Sequence, residues 1–147
     1  MTLTFHISEK CRTDSQTGVS RCFSLFTEPV SYQEARHICN DRGAKLPMAK
    51  DSSANDFLIR LTRESNVDVW IGLNFTTDKG WMWNDGISLE AKSFRAWAPN
   101  EPNGDRDTHC VRLSVSATYS NTATSQNVWM DTPCGSSYGF ICEKGWV

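Results

Sequence analysis

Apolar and polar residues recur along the chain at two periods. Residues 21–27, R-C-F-S-L-F-T, alternate with aromatics at Phe23 and Phe26, which predicts a strand ended by Glu28-Pro29. Ser31 then opens the capping box S-Y-Q-E with Glu34. Ala35, Ile38 and Cys39 recur at helical spacing until Gly43, so residues 31–42 read as a helix. A second helix is expected over about 53–64, starting near Ser52 or Ser53, with Phe57, Leu58 and Leu61 on one face. Residues 69–73, V-W-I-G-L, are a short apolar run suited to a buried strand, and 81–83 open another after the turn Asp78-Lys79-Gly80. Residues 110–115 alternate as C-V-R-L-S-V, 128–130 form a short strand, and 138–143 form the closing one.

Between these elements lies residues 84–108, with few periodic positions and many Gly, Pro, Asn and Asp; a loop of that length inside a compact domain is usually functional. Residues 116–127, rich in Ser, Thr and Asn, read as an exposed hairpin excursion. Trp81, Trp83 and Trp97 are read as core, because aromatics dominate core burial. No internal repeat or linker interrupts the chain. Its 147 residues, 39% hydrophobic and 11% aromatic, suit a single domain over 1–147.

Charge and cysteine narrow the function. A net charge of −2 with both signs interspersed provides no basic stripe, which excludes nucleic-acid binding and adsorption to anionic membranes as main functions. No apolar run approaches the roughly 18 residues of a membrane span, and no signal-peptide core follows Met1. Six cysteines nevertheless argue for an oxidising compartment, which is consistent if Met1 stands where a secretion signal has been removed. Asn74-Phe75-Thr76 is an N-glycosylation sequon and agrees with a secreted glycoprotein. Cys11, Cys22, Cys39, Cys110, Cys134 and Cys142 contain no closely spaced pair of the zinc-binding kind, so disulfides are expected; spacing leaves their pairing open. The chain has no G-x-S-x-G and no H-E-x-x-H, and disulfides would consume every thiol, so no enzyme is expected.

The chemistry concentrates in residues 97–107, W-A-P-N-E-P-N-G-D-R-D. Glu101 and Asn103 flank Pro102, with Asp105 and Asp107 close behind; these are hard oxygen donors of the kind Ca²⁺ takes six to eight of. An X-Pro bond tolerates the cis form, which would turn both flanking side chains toward one point. By itself E-P-N also reads as a polar surface turn.

In order along the chain stand W-I-G-L at 70–73, W-M-W-N-D-G at 81–86, E-P-N, Cys110, Trp129-Met130-Asp131, Cys134 and Cys142. This ordered set, from about Cys11 to Glu143, resembles the long form of the C-type lectin-like domain. The resemblance implies an α+β fold of two helices with small antiparallel sheets and a long irregular binding loop, its first and last strands paired and its termini close. It implies disulfides Cys11–Cys22, Cys39–Cys142 and Cys110–Cys134. It further implies one Ca²⁺ held by Glu101, Asn103, Asp131 and Asp107, with neighbouring sugar hydroxyls completing the coordination. Glu101 would accept a hydroxyl proton and Asn103 would donate its amide. The sugars implied are of the mannose, glucose, N-acetylglucosamine and fucose type.

The chain departs from the family pattern at two places. Met130 stands where the motif has a liganding asparagine, and a thioether is a poor ligand for a hard cation. Thr108 stands where a glutamate is usual, with Asp107 one residue earlier as its replacement and Asn127 a further amide. Gly104 and His109 replace the acids of an auxiliary calcium site, so none is expected. The reading is a secreted, calcium-dependent lectin of innate immunity that recognises such glycans, as on microbial surfaces, with Met130 at its carbohydrate site. The alternative is a calcium-independent domain that binds a protein or glycan through the same loops.

Overall fold

In the computed structural model, which describes residues 8–103, 109–115 and 127–145, the helices begin at side chains that satisfy their free N–H groups. Helix α1 (Tyr32–Asp41) starts at Ser31, whose Oγ accepts from the Glu34 amide at 3.2 Å while Glu34 Oε1 accepts from the Ser31 amide at 3.0 Å. Such a cap stabilises a helix by about 1 kcal/mol. Helix α2 (Ser52–Ser65) is capped one residue earlier than expected, by Asp51, whose Oδ1 accepts from the Ala54 amide at 2.8 Å. It ends at Asn66, which adopts the left-handed conformation (φ 55°) that asparagine tolerates.

The strands are β1 (Ser8–Thr13), β2 (Ser20–Val30), β3 (Val69–Thr76), β4 (Gly80–Trp83), β5 (Cys110–Leu113), β6 (Trp129–Thr132) and β7 (Tyr138–Gly145). They form one seven-stranded sheet in the order β1-β2-β7-β3-β5-β6, with β4 paired to β3. What the resemblance framed as small antiparallel sheets is thus continuous. The join is the parallel pair β3–β7, with Val69 opposite Gly139 and Trp70 opposite Phe140. The strand expected over 21–27 lies in β2 and pairs with the closing strand β7, as the resemblance implies, while β1 adds to the other side of β2; the chain ends lie outside the described residues.

Two boundaries differ from the sequence reading. Strand β2 continues through Pro29 to Val30, and its register with β7 shifts between Phe26 and Val30, a bulge of the kind that admits a proline without a ladder bond. Strand β3 runs on to Thr76 because β4 pairs with its outer half. Of the excursion at 116–127, only Asn127 lies among the described residues.

Alternation on the central strands sorts the core into two layers, one on each face of the sheet. Val69, Ile71 and Leu73 join Leu58, Ile59 and Leu61 of α2, while Trp70 turns to the other side with Tyr32, Ala35 and Cys39 of α1. Burial on both faces is why residues 69–73 read as a continuous apolar run. Trp70 is fully buried, and its Nε1 donates to the Val30 carbonyl at 2.8 Å. Gly72 is fixed by proximity: a Cβ there would lie 2.9 Å from the Leu46 carbonyl oxygen and closer still to the Asn84 amide.

The cysteines pair as the resemblance implies, Cys11–Cys22, Cys39–Cys142 and Cys110–Cys134. The second joins α1 to β7 across a separation of 103 residues, for which the chain-entropy account gives about 4.7 kcal/mol.

Two predictions follow from this packing. Gly72→Ala should cost about 1–3 kcal/mol in denaturant unfolding, since the backbone oxygen it meets cannot move aside as a side chain would; a loss under about 0.5 kcal/mol would contradict the close approach. Glu143 is buried, its Oε1 accepting from the Met48 amide at 3.1 Å and its Oε2 lying 3.4 Å from Arg21. Burial raises its carboxyl above the ordinary glutamate value of 4.5, against the opposing pull of the Met48 amide and Arg21. A raised folded value means the native state holds the proton more tightly than the unfolded chain. That stabilisation is complete below the ordinary value and is lost as pH rises through the raised one. Glu143→Gln removes this titration and keeps an acceptor for Met48. Its melting temperature relative to wild type should therefore climb as pH rises above 4.5, and a flat difference would refute the assignment.

Candidate calcium and carbohydrate site

The site is assembled around Trp129. Its side chain is fully buried, with Nε1 donating to Asn55 Oδ1 on α2 at 2.9 Å and ring centroids of Trp83 and Trp97 within 5.5 Å. Its backbone grips the loop from both sides. The Trp129 amide donates to the Ala96 carbonyl at 2.8 Å, and the Ala98 amide donates to the Trp129 carbonyl at 2.9 Å. From Ala98 the loop turns back on itself: the Glu101 amide donates to the Ala98 carbonyl at 2.9 Å, across Asn100 in the left-handed region (φ 68°). The Glu101-Pro102 bond is cis, the form the sequence reading entertained.

This geometry brings Glu101 and Asp131 together. The Asp131 amide donates to Glu101 Oε1 at 3.1 Å, and the Asp131 side chain is only 5% exposed. Glu101 is pushed up to about 7, first by burial and then by the hydrogen bond and negative charge of Asp131; the Asp131 amide and the charge of Arg112 pull the other way. Asn103 is exposed on the far side of Pro102. Asp107, with Asp105, Gly104 and Thr108, lies outside the described residues. Asn127 is exposed at the start of the β6 segment.

Met130 is directed to Arg112, its cross-strand partner on β5, whose Nη2 donates toward Sδ at 3.5 Å. Arg112 is the centre of a cluster that sequence reasoning missed. Its Nε donates to Asp68 Oδ2 at 2.9 Å, its Nη1 to Thr132 Oγ1 at 2.8 Å, and its guanidinium lies 4.8 Å from the Tyr138 ring centre. Asp68 also accepts from the Val115 amide at 2.7 Å, so the cluster clamps the end of β5. The only local signal was an arginine at the polar position of C-V-R-L-S-V. Asn55, the buried partner of Trp129, was likewise missed, although it occupies the apolar face of α2 with Leu58, Ile59 and Thr62.

Asn74, the sequon residue, is half-buried in β3, opposite Met82 on one side and Cys110 on the other. His109 is half-buried, its ring 5.3 Å from that of Phe75. Among the described residues no group of three or more His, Cys, Asp or Glu converges on one point.

Comparison with known proteins agrees with this architecture. The profile of the Lectin C-type domain matches residues 28–144. Human tetranectin is 28% identical over 131 residues, covering 86% of this chain and 61% of tetranectin. Human C-type mannose receptor 2 is 28% identical over 142 residues, covering 95% of this chain and 9% of the receptor. The chain thus spans less than two thirds of the length of either relative. Among solved structures, a C-type lectin from the tunicate Polyandrocarpa misakiensis aligns with a TM-score of 0.69 at 27% identity, covering 86% of this chain and 99% of that one. With the profile running from Glu28 in β2 to Lys144 in β7, the chain belongs to the C-type lectin domain family.

Proposed function

We propose that the domain binds glycans of the mannose, glucose, N-acetylglucosamine and fucose type through a calcium ion held by Glu101, Asn103 and Asp131, with Asp107 as a further ligand. Membership of the family supports carbohydrate or protein binding at the coarser level. The observation that carries the finer reading is the convergence of Glu101 and Asp131, two carboxyl groups whose mutual repulsion and burial are unfavourable unless a cation or a proton offsets them. The donors are carboxylate and amide oxygens, the hard set suited to Ca²⁺. When bound, the ion would supply open coordination positions for two neighbouring sugar hydroxyls. The chain's own part is to orient them: the Glu101 carboxylate accepts from one, and the Asn103 amide donates to the other. The mannose named in one relative agrees with this choice of sugar. The three disulfides support a secreted domain, and among the described residues no helix is long and apolar enough to cross a membrane.

The second reading, binding without calcium, is favoured by one observation. The side chain at the motif's asparagine position is engaged with Arg112, whose positive charge already reaches Glu101.

The readings separate in a melting experiment. Calcium at a hundredfold excess over its Kd should stabilise the protein by about 2.7 kcal/mol, and Glu101→Gln should abolish the rise. An identical melting curve in chelator and in millimolar calcium would give the field to the second reading. Met130→Asn tests the departure from the motif. An added carbonyl ligand and amide donor at the motif's asparagine position, worth roughly 1.5–3 kcal/mol as a hydrogen bond to a charged group, should tighten calcium-dependent mannose binding by about tenfold or more. Weaker binding with the fold intact would instead show Met130 to be an apolar contact for the ligand.

A further inference from the structure

A second polar trough lies on the α1 side of the sheet, between that helix and the β3–β4 hairpin. It consists of two adjoining hollows of about 310 Å³ each that share Arg36 and Asn74. Asn40, Lys45, Met82 and Asn84 line one; Gln33, Tyr32, Phe75 and His109 line the other. No aspartate or glutamate lines either. Four cations elsewhere are paired with carboxylates: Lys10 with Glu64, Arg21 with Glu143, Lys50 with Asp85 and Arg112 with Asp68. Arg36 and Lys45 join no carboxylate among the described residues. The acids nearest in sequence are already engaged, Glu34 in the α1 capping box, Asp41 with His37 on the same helix, and Asp85 with Lys50. The trough therefore presents two uncompensated cations among amide donors.

Its walls are held in place. Cys39–Cys142 fixes α1 to β7, and the Tyr32 amide donates to the Cys134 carbonyl at 3.1 Å. Tyr32 Oη donates to Asn84 Oδ1 at 3.4 Å, while Asn84 Nδ2 donates to the Leu46 carbonyl at 3.5 Å. A site prepared in this way loses little on ordering when a ligand arrives.

We propose that this trough binds the sulfate or carboxylate group of an acidic saccharide, without calcium and apart from the Glu101–Asp131 site. A guanidinium matches either anion in paired hydrogen bonds, and Lys45 adds a second charge. The amides of Gln33, Asn40 and Asn74 suit hydroxyls, and the half-buried Met82 and Phe75 offer apolar surface to a sugar face. Two hollows in tandem fit consecutive sugar units better than a lone anion. The proposal stands independently of the calcium reading.

A glycan linked at Asn74 would occupy the same space, so the test uses Thr76→Ala, which removes the sequon at an exposed position and keeps Asn74. Titration calorimetry in chelator with a heparin-derived hexasaccharide and a hyaluronan hexasaccharide distinguishes sulfate from carboxylate as the anchoring group. Saturable binding of either is expected. In the same background Arg36→Ala/Lys45→Ala should weaken it at least tenfold, while Lys10→Ala/Arg60→Ala, which removes the same charge elsewhere, should leave it within twofold. Melting curves check folding, and Arg36→Gln/Lys45→Gln replaces the double alanine if it fails. Absence of saturable binding by both saccharides, equal losses in the two double variants, or equal affinity for a hexaglutamate peptide would each overturn the proposal.

Discussion

The irregular loop around Pro102 depends on the burial of Trp129. A fully buried indole must place its N–H on an acceptor, and Asn55 on α2 supplies one from the layer beneath. That single bond locks the ring. The backbone amide and carbonyl of Trp129 then hold Ala96 and Ala98, so an irregular loop gains the hydrogen-bonding equivalent of an edge strand. Two residues further along β6, Asp131 is carried to Glu101 by the same anchoring. The site's accuracy is thus inherited from a core aromatic rather than built by the loop itself.

Electrostatics explains why such a site belongs at the edge of the core. Asp131 is nearly sealed from water and Glu101 half so, which raises the energy of both charges together. Arg112 offsets part of this from below. It is itself neutralised by Asp68 and braced by Thr132 and Tyr138, which limits how much of its charge reaches the carboxylates. What remains is a negative imbalance at the rim of the loop. A cation entering there gains most where water competes least.

What the sequence disclosed follows from how locally each feature is determined. The α1 cap was legible because Ser31 and Glu34 satisfy one another within a single turn. The α2 cap was misplaced by one residue because Asp51, Ser52 and Ser53 all carry capping oxygens, and only geometry selects the carboxylate. Pro29 ended a strand in the sequence reading, yet β2 persists to Val30, whose carbonyl is claimed by Trp70 from far along the chain. The parallel pairing of β3 with β7 left no mark, since periodicity records which faces are buried and not which strands are neighbours. For the site, Glu101 and Asp131 were legible through the motif order. Arg112 was not, because Asp68, Met130, Thr132 and Tyr138 converge on it from separate segments.

The Glu101–Asp131 pair and the Arg36–Lys45 trough share a frame but have opposite sign. Strand β5 joins them: Cys110 faces Asn74 of the trough on one side and Thr132, next to Asp131, on the other, and its disulfide to Cys134 reaches the trough wall again. A frame closed by hydrogen bonds and a disulfide leaves little slack through which occupancy of one region would reshape the other. Selection must then rest on charge. On the two proposals above, an acidic sugar would be drawn to Arg36 and Lys45, whereas a neutral sugar would gain nothing from the cations and would need the donors and acceptors around Pro102. A glycan carrying both kinds of unit would engage two chemically distinct regions, and the gain from holding it at both would depend on the spacing of its units rather than on any change in the protein.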